Sequence, residues 1–126
     1  MPYKIDYIED EGGVIIAYSG TVTDQDVVQS VKEVFSSDDK TRTYRYVIPD
    51  FSAGEKSEIS ADGIRENALV VLEASKVSKR IIMAIVIPSS FRVHMPRLWQ
   101  TYMNKTGWRI KNVRSISYAK RWIKLF

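Results

Sequence analysis

The heptapeptide Ile81–Ile87, with the sequence IIMAIVI, is apolar at every position and stops at Pro88. A strand with one solvated face alternates apolar and polar side chains, whereas an unbroken apolar run is typical of a strand covered on both faces by helices. Such strands belong to parallel sheets in which strands and helices alternate along the chain. We therefore predict a central buried strand here, ended by the proline.

The residues at the start of the chain predict a hairpin and a helix. Tyr3–Tyr7 alternates apolar and polar side chains, Asp10–Gly13 is a turn cluster, and Val14–Tyr18 follows as a second strand. Thr23 is predicted to cap an amphipathic helix, which ends at the polar run Ser36–Asp39.

A third strand and a second helix are predicted before the buried strand. The strand covers Tyr44–Ile48 and ends at Pro49, because proline has no amide proton for a sheet ladder. Ser52–Ser60 is predicted as a loop, with Ser60 as the cap of the helix. The apolar positions of this helix are Ile64, Ala68, Val71 and Leu72.

The residues after the buried strand predict a loop, Ser89–His94, and then a helix with one apolar stripe. Gly107 is the predicted stop of that helix, Trp108–Val113 is a fifth strand, and Ser117 caps a last helix. The stripe consists of Met95, Leu98, Trp99, Tyr102 and Met103.

The predicted order is therefore β-β-α-β-α-β-α-β-α, an α/β fold in a single domain over residues 1–126. Strands that alternate with single helices imply a mostly parallel five-stranded sheet with right-handed crossovers. The N-terminal β-hairpin adds one antiparallel edge strand, and four helices complete the prediction.

Several kinds of chemistry lack their residues in this sequence. The 126 residues include no cysteine and one histidine, His94, which excludes thiolate metal sites, cysteine nucleophiles and two-histidine metal sites. Glycine-rich phosphate loops and the nucleophile-elbow motif are also absent. We expect a protein that is not an enzyme and needs no metal or cofactor.

The longest apolar run has seven residues, far fewer than the roughly 20 needed to cross a bilayer, and the start MPYKIDYIED has no apolar signal segment. We therefore expect a cytoplasmic protein without a transmembrane segment.

Charge is divided unevenly along the chain. Met1–Glu73 carries 7 basic and 15 acidic side chains, whereas Ala74–Phe126 carries 12 basic side chains and no acidic one. Either the two parts neutralise each other on folding, or the second part forms a basic surface for an anionic partner. Specific recognition of DNA is not expected, because no helix-turn-helix or similar element is evident. The basic surface would contain Arg109, Lys111, Arg114, Lys120, Arg121 and Lys124.

Together with this element order, four short segments resemble those of small bacterial STAS-like proteins. They are the turn Asp50–Ser52, the strand Ala84–Val86 with its serine loop, the helix around Arg97–Trp99, and the stretch Ser117–Ile123. The resemblance covers nearly the whole chain. It implies the fold of anti-sigma-factor antagonists, a singly wound parallel sheet similar to that of the lipid-binding CRAL-TRIO domains.

The resemblance also implies a phosphorylated residue. In STAS regulators a partner kinase phosphorylates a serine or threonine at the start of the helix after the third strand. The phosphorylated residue of those regulators lies within an Asp-Ser-Ser-Gly-like motif. Aligning this motif from Asp50 without a gap puts Ser57 at the phosphorylated position, and a shift of three residues puts Ser60 there. We prefer Ser60, since it directly precedes the apolar stripe and a helix N-terminus favours an anion. The alternative that Ser60 only caps its helix stays open.

A second candidate site is the edge formed by the carboxyl ends of the strands, where open parallel sheets bind ligands. A carboxylate, several hydroxyls and an arginine could hold a small anion, although polar loops in general contain the same residues. The residues expected at this rim are Thr21, Asp50, Ser52, Ser89, Ser90, Arg92 and His94.

These features predict a non-enzymatic, STAS-like regulatory or protein-interaction module. A protein partner is expected, a homodimer is left open, and a small anionic or amphipathic ligand is a further candidate at the rim. The alternative is a CRAL-TRIO-like carrier of a lipid or another hydrophobic ligand. A carrier requires a cavity of several hundred cubic ångströms between the sheet and the helix with the Met95 stripe. We expect a closed core there instead.

Overall fold

A computed structural model describes residues 2–91 and 97–126. These residues form an α/β unit with a five-stranded mixed sheet and five α-helices. In chain order the elements are β1 (Tyr3–Ile8), β2 (Gly13–Thr23), α1 (Asp24–Val34), α2 (Asp38–Thr43), β3 (Tyr46–Glu58), α3 (Ala61–Val77), β4 (Ile82–Val86), α4 (Arg97–Asn104), β5 (Arg109–Val113) and α5 (Ile116–Ile123).

The strands lie in the sheet in the order in which they occur in the chain. β1 and β2 are antiparallel, as the hairpin pattern predicted, and every later pair is parallel. A short 3-10 turn, Glu9–Glu11, joins β1 to β2 and ends at Gly12, whose φ of +63° suits glycine. Buried residues of α1, α3 and α4 share one apolar cluster, so the three crossovers lie on the same face of the sheet, and α5 lies on the other.

The buried strand is confirmed. All five residues of β4 are buried, and their side chains alternate between the two apolar clusters. Met83 and Ile85 face α1, α3 and α4, whereas Ile82, Ala84 and Val86 face α5. An uninterrupted apolar run is therefore required, because both sides of this strand are removed from water.

The prediction of four helices was wrong, because the polar run after α1 forms the additional helix α2. Ser37 caps it by accepting a hydrogen bond from the Lys40 amide at 3.2 Å. Asp38 and Asp39 occupy the first turn, where negative charge favours helix formation. The serines and aspartates interpreted as a stop are thus the start of another helix.

The predicted end of the third strand at Pro49 was also wrong, since β3 continues to Glu58. In the pairing of β3 with β4, Val47 and Asp50 have partners but the residues between them do not. Pro49 therefore lies where no amide proton is needed for this ladder. Beyond Asp50, β3 pairs with the second half of β2, which reaches Thr23 rather than the predicted Tyr18. The predicted loop Ser52–Ser60 is therefore mostly a parallel β2–β3 ribbon.

The boundaries of the last two helices differ from the prediction. α4 ends at Asn104, three residues before Gly107, whose φ is +75°. The cap of α5 is Ser115, not Ser117, and it accepts a hydrogen bond from the Tyr118 amide at 3.2 Å. Both serines fit a cap by residue type, but Ser115 has the extended backbone that a cap requires, whereas Ser117 lies within α5.

Two buried tyrosines predict a loss of stability at alkaline pH. Burial raises the pKa of Tyr44 to about 12, and the electrostatic interaction with Tyr7 is the second cause. Burial, followed by the hydrogen bond to Glu11, raises the pKa of Tyr46 to about 12. Tyrosine titrates near 10 in the unfolded chain, so the folded protein keeps these protons to higher pH. Their stabilising contribution is therefore complete below about pH 10 and is lost as the pH rises to about 12.

We expect the free energy of unfolding, measured with urea, to fall across this interval. The Tyr44→Phe/Tyr46→Phe double variant should show a smaller fall, because it lacks both protons. An equal fall in the wild type and the double variant would contradict this origin of the pH dependence.

Candidate functional site

Ser60 is the cap of α3, as predicted. Its Oγ accepts a hydrogen bond from the Gly63 amide at 3.2 Å, and its side chain is exposed. Asp24, the first residue of α1, accepts two hydrogen bonds from Ser60: one from the backbone amide at 2.6 Å and one from Oγ at 2.5 Å. The carboxylate thus joins the start of α1 to the start of α3. No local sequence signal reveals this pair, because the two residues are 36 positions apart.

This pair bears on phosphorylation of Ser60. The Asp24 carboxylate already supplies negative charge at the α3 N-terminus, and a phosphate on Ser60 Oγ would break its hydrogen bond and stand beside a like charge. Ser57 lies in β3 rather than at a helix start, and its Oγ accepts from the Ile59 amide at 3.4 Å. The cap is confirmed, and phosphorylation at either serine stays a prediction.

The structure assembles part of the predicted rim. Asp50 lies opposite Val86, the last residue of β4, and accepts hydrogen bonds from the amide and hydroxyl of Ser52 at 2.9 and 2.5 Å. Ser89 and Ser90 are exposed in the turn that follows β4. Arg92 and His94 lie outside the described residues.

Thr21 does not join this rim. It pairs with Lys56 in the β2–β3 ribbon, six residues beyond Asp50 along β3. At about 3.3 Å per residue this is a displacement of about 20 Å. The sequence prediction placed Thr21 with the others because it ended both strands too early.

Within residues 2–91 and 97–126, the only ion pair that joins the acidic part of the chain to the basic part is that of Glu73 with Lys76, at the boundary between them. Among the described residues, each ion pair joins side chains two or three positions apart, and none includes a residue after Lys76. The six cations predicted to form a basic surface therefore have no carboxylate partner in this part of the chain.

Three of these cations lie over aromatic rings instead. Lys111 Nζ lies 5.3 Å from the centre of the Tyr118 ring and donates a hydrogen bond to its hydroxyl at 3.2 Å. The Arg121 guanidinium lies 5.9 Å from the same ring, and the Arg109 guanidinium lies 4.3 Å from the Phe126 ring. Cations at such distances are attracted by the negative faces of the rings. We call these five residues the basic strip.

The other three cations are not part of the basic strip. Lys120 and Lys124 line a cavity together with Arg45, on a different side of α5. Arg114 follows β5 and is exposed. The predicted basic surface is therefore divided: three of its cations belong to the strip, two line the cavity, and Arg114 belongs to neither group.

The core next to α4 is nearly filled. Trp99 and Met103 belong to the same cluster as Met83 and Ile85. The described residues between the sheet and α1, α3 and α4 leave a cavity of about 50 Å³, far below the volume of a lipid site. Met95 lies outside the described residues. This cavity gives the carrier alternative no support.

No helix in the described part of the chain is both long and apolar enough to cross a membrane. Comparison of the chain with models of protein families, with curated proteins and with solved structures found no match.

Proposed function

We propose that this chain is a non-enzymatic protein-interaction module whose basic strip binds an acidic surface of a partner protein. The observation that carries the proposal is that the cations of the strip are held by aromatic rings, with no carboxylate partner among the described residues. An acidic partner would supply the missing charge. The STAS-like fold is part of the same proposal, and the sequential strand order supports it.

The composition of the strip suits protein recognition. Arginine and aromatic residues are enriched at protein interfaces and account for much of their binding energy. Tyr118 is 41% exposed and Phe126 is 47% exposed, so both rings remain accessible beside their cations. The strip thus offers charge together with apolar contact area.

A protein surface fits the strip better than a membrane does. A helix that binds a membrane surface must turn its apolar side toward the lipid. In α5 that side is occupied, because Ala119 and Ile123 are buried against the sheet. The cations and rings that remain exposed lie along β5 and α5.

The test uses a fluorescein-labelled peptide of alternating glutamate and tyrosine. Fluorescence anisotropy measures the binding of this peptide to the protein. We expect the wild-type protein to bind the peptide and added salt to weaken binding. The Lys111→Glu/Arg121→Glu double variant should bind at least about tenfold more weakly, because two attractive charges become repulsive.

The matched control is the Lys4→Glu/Lys32→Glu double variant. It changes the net charge equally at two exposed residues, one in β1 at the opposite edge of the sheet from β5 and one in α1 on the opposite face from α5. Its affinity should stay within about twofold of that of the wild type. Equal weakening by both double variants would contradict a specific surface, as would tighter binding of duplex DNA or of anionic lipid vesicles than of the peptide.

A further inference from the structure

A cavity of about 510 Å³ lies between the N-terminal hairpin and α5. Three cations, Arg45, Lys120 and Lys124, line it with a single carboxylate, that of Glu11. We propose that this cavity binds a small organic anion, a carboxylate or phosphate group carried on an apolar body. The site lies at the amino ends of the parallel strands, opposite the rim predicted from the sequence.

The cations of the cavity are available to a ligand. Arg45 Nη2 donates to the Ile123 carbonyl oxygen at 3.2 Å, which fixes the guanidinium at the end of α5. A guanidinium has five N–H donors, and this is the one hydrogen bond it makes with the described residues. The ammonium groups of Lys120 and Lys124 form no ion pair or hydrogen bond within the same part of the chain.

The carboxylate of the cavity is hydrogen-bonded to Tyr46 and not paired with the cations. Glu11 Oε1 accepts a hydrogen bond from the Tyr46 hydroxyl at 2.8 Å and forms no ion pair with the three cations. The four charged side chains together carry a net charge of +2. An anion entering the cavity would therefore meet uncompensated positive charge.

The remaining walls define the body of the ligand. The partly exposed Ile8 contributes apolar surface, and the Tyr46 ring and Ile123, both almost fully buried, border the cavity behind it. The volume falls within the range of small-molecule sites, in which a mainly apolar pocket is combined with a few polar groups. A ligand with one ring or a short alkyl group next to its charge satisfies both parts of the lining.

The test is an amide-detected NMR titration with phenyl phosphate, with inorganic phosphate and benzyl alcohol as matched probes. We expect saturable shifts of the amide signals of Ile8, Arg45 and Lys124. Phenyl phosphate should bind about tenfold more tightly than either matched probe, because those probes lack the ring or the charge.

Charge variants test the assignment in both directions. Arg45→Gln and Lys124→Gln should each weaken phenyl phosphate binding about fivefold. Glu11→Gln keeps an acceptor for Tyr46 and should strengthen binding about threefold, because it removes the opposing charge. The controls Arg114→Gln and Glu55→Gln change the same charges at exposed positions outside the cavity and should have no effect.

Arg45→Gln also removes a hydrogen bond at the end of α5, so Lys124→Gln decides the outcome if the arginine variant fails to fold. Unsaturable binding, equal affinity for inorganic phosphate, or equal weakening by Arg114→Gln would overturn the proposal. The proposal for the basic strip is tested with an acidic peptide and with variants at other positions. Either proposal can therefore fail while the other stands.

Discussion

Phe51→Ala should lower the free energy of unfolding by about 3–5 kcal/mol, the range for truncating a buried phenylalanine. Phe51 is 6% exposed, and its ring is stacked between two others. The Tyr18 ring lies 4.5 Å away at 8°, and the Phe91 ring lies 5.2 Å away at 16°. Phe51 also lines the 50 Å³ cavity, so its removal would enlarge a void that already exists.

Urea unfolding measures this effect, with Phe126→Ala as the matched control. Phe126 is 47% exposed, so the same truncation there should lower the free energy of unfolding by less than about 1 kcal/mol. A loss below about 1 kcal/mol for Phe51→Ala would mean that the stack of three rings is not part of the stable core.

Gly63→Ala should also destabilise the protein, by about 1–3 kcal/mol. An added Cβ would lie 2.8 Å from Asp24 Cβ and still closer to the carboxyl atoms. Turning the Asp24 side chain leaves its Cβ in place, so the start of α1 or of α3 would have to shift and the hydrogen bonds of Asp24 to Ser60 would be lost. This loss outweighs the roughly 1 kcal/mol by which alanine is favoured over glycine within a helix.

The sign of the effect should reverse when Asp24 is absent. In an Asp24→Gly background, Gly63→Ala is expected to be neutral or to stabilise by up to about 1 kcal/mol, because every side-chain atom that the new Cβ would meet, including Asp24 Cβ, is gone. In an Asp62→Gly background it should remain destabilising, since Asp62 pairs with Arg65 and not with Ser60. Thermal or urea unfolding of these variants measures the coupling, and an unchanged sign in the Asp24→Gly background would refute it.

Features of the fold that depend on neighbouring residues were predictable from the sequence. The caps at Thr23 and Ser60 follow from residue type and position. The buried strand follows from an apolar run without interruption. In these cases the forces that select the conformation act within a few residues of each other.

Features that depend on distant residues were not predictable. β3 passes through Pro49 because β2 continues beside it, and β2 lies more than 25 residues earlier in the chain. The hydrogen bonds of Ser60 to Asp24 and the position of Arg45 beside Lys120 and Lys124 likewise arise only when the chain folds. The charge imbalance predicted a basic surface. The side of the molecule to which each cationic side chain points is set by the packing of α5, which the sequence does not show.

The β2–β3 ribbon extends past its neighbours, since the paired residues of β4 reach no further along β3 than Asp50. Within the described residues, the outer half of β3 therefore lacks a strand on one side. An unpaired strand edge invites aggregation by accepting a strand from another molecule, and charged side chains oppose such pairing. Glu55, Lys56 and Glu58 are exposed along this segment, and Lys56 and Glu58 form an ion pair at 3.5 Å. An incoming chain would have to desolvate these charges, so the same residues that lengthen the ribbon also protect the protein from edge-to-edge association.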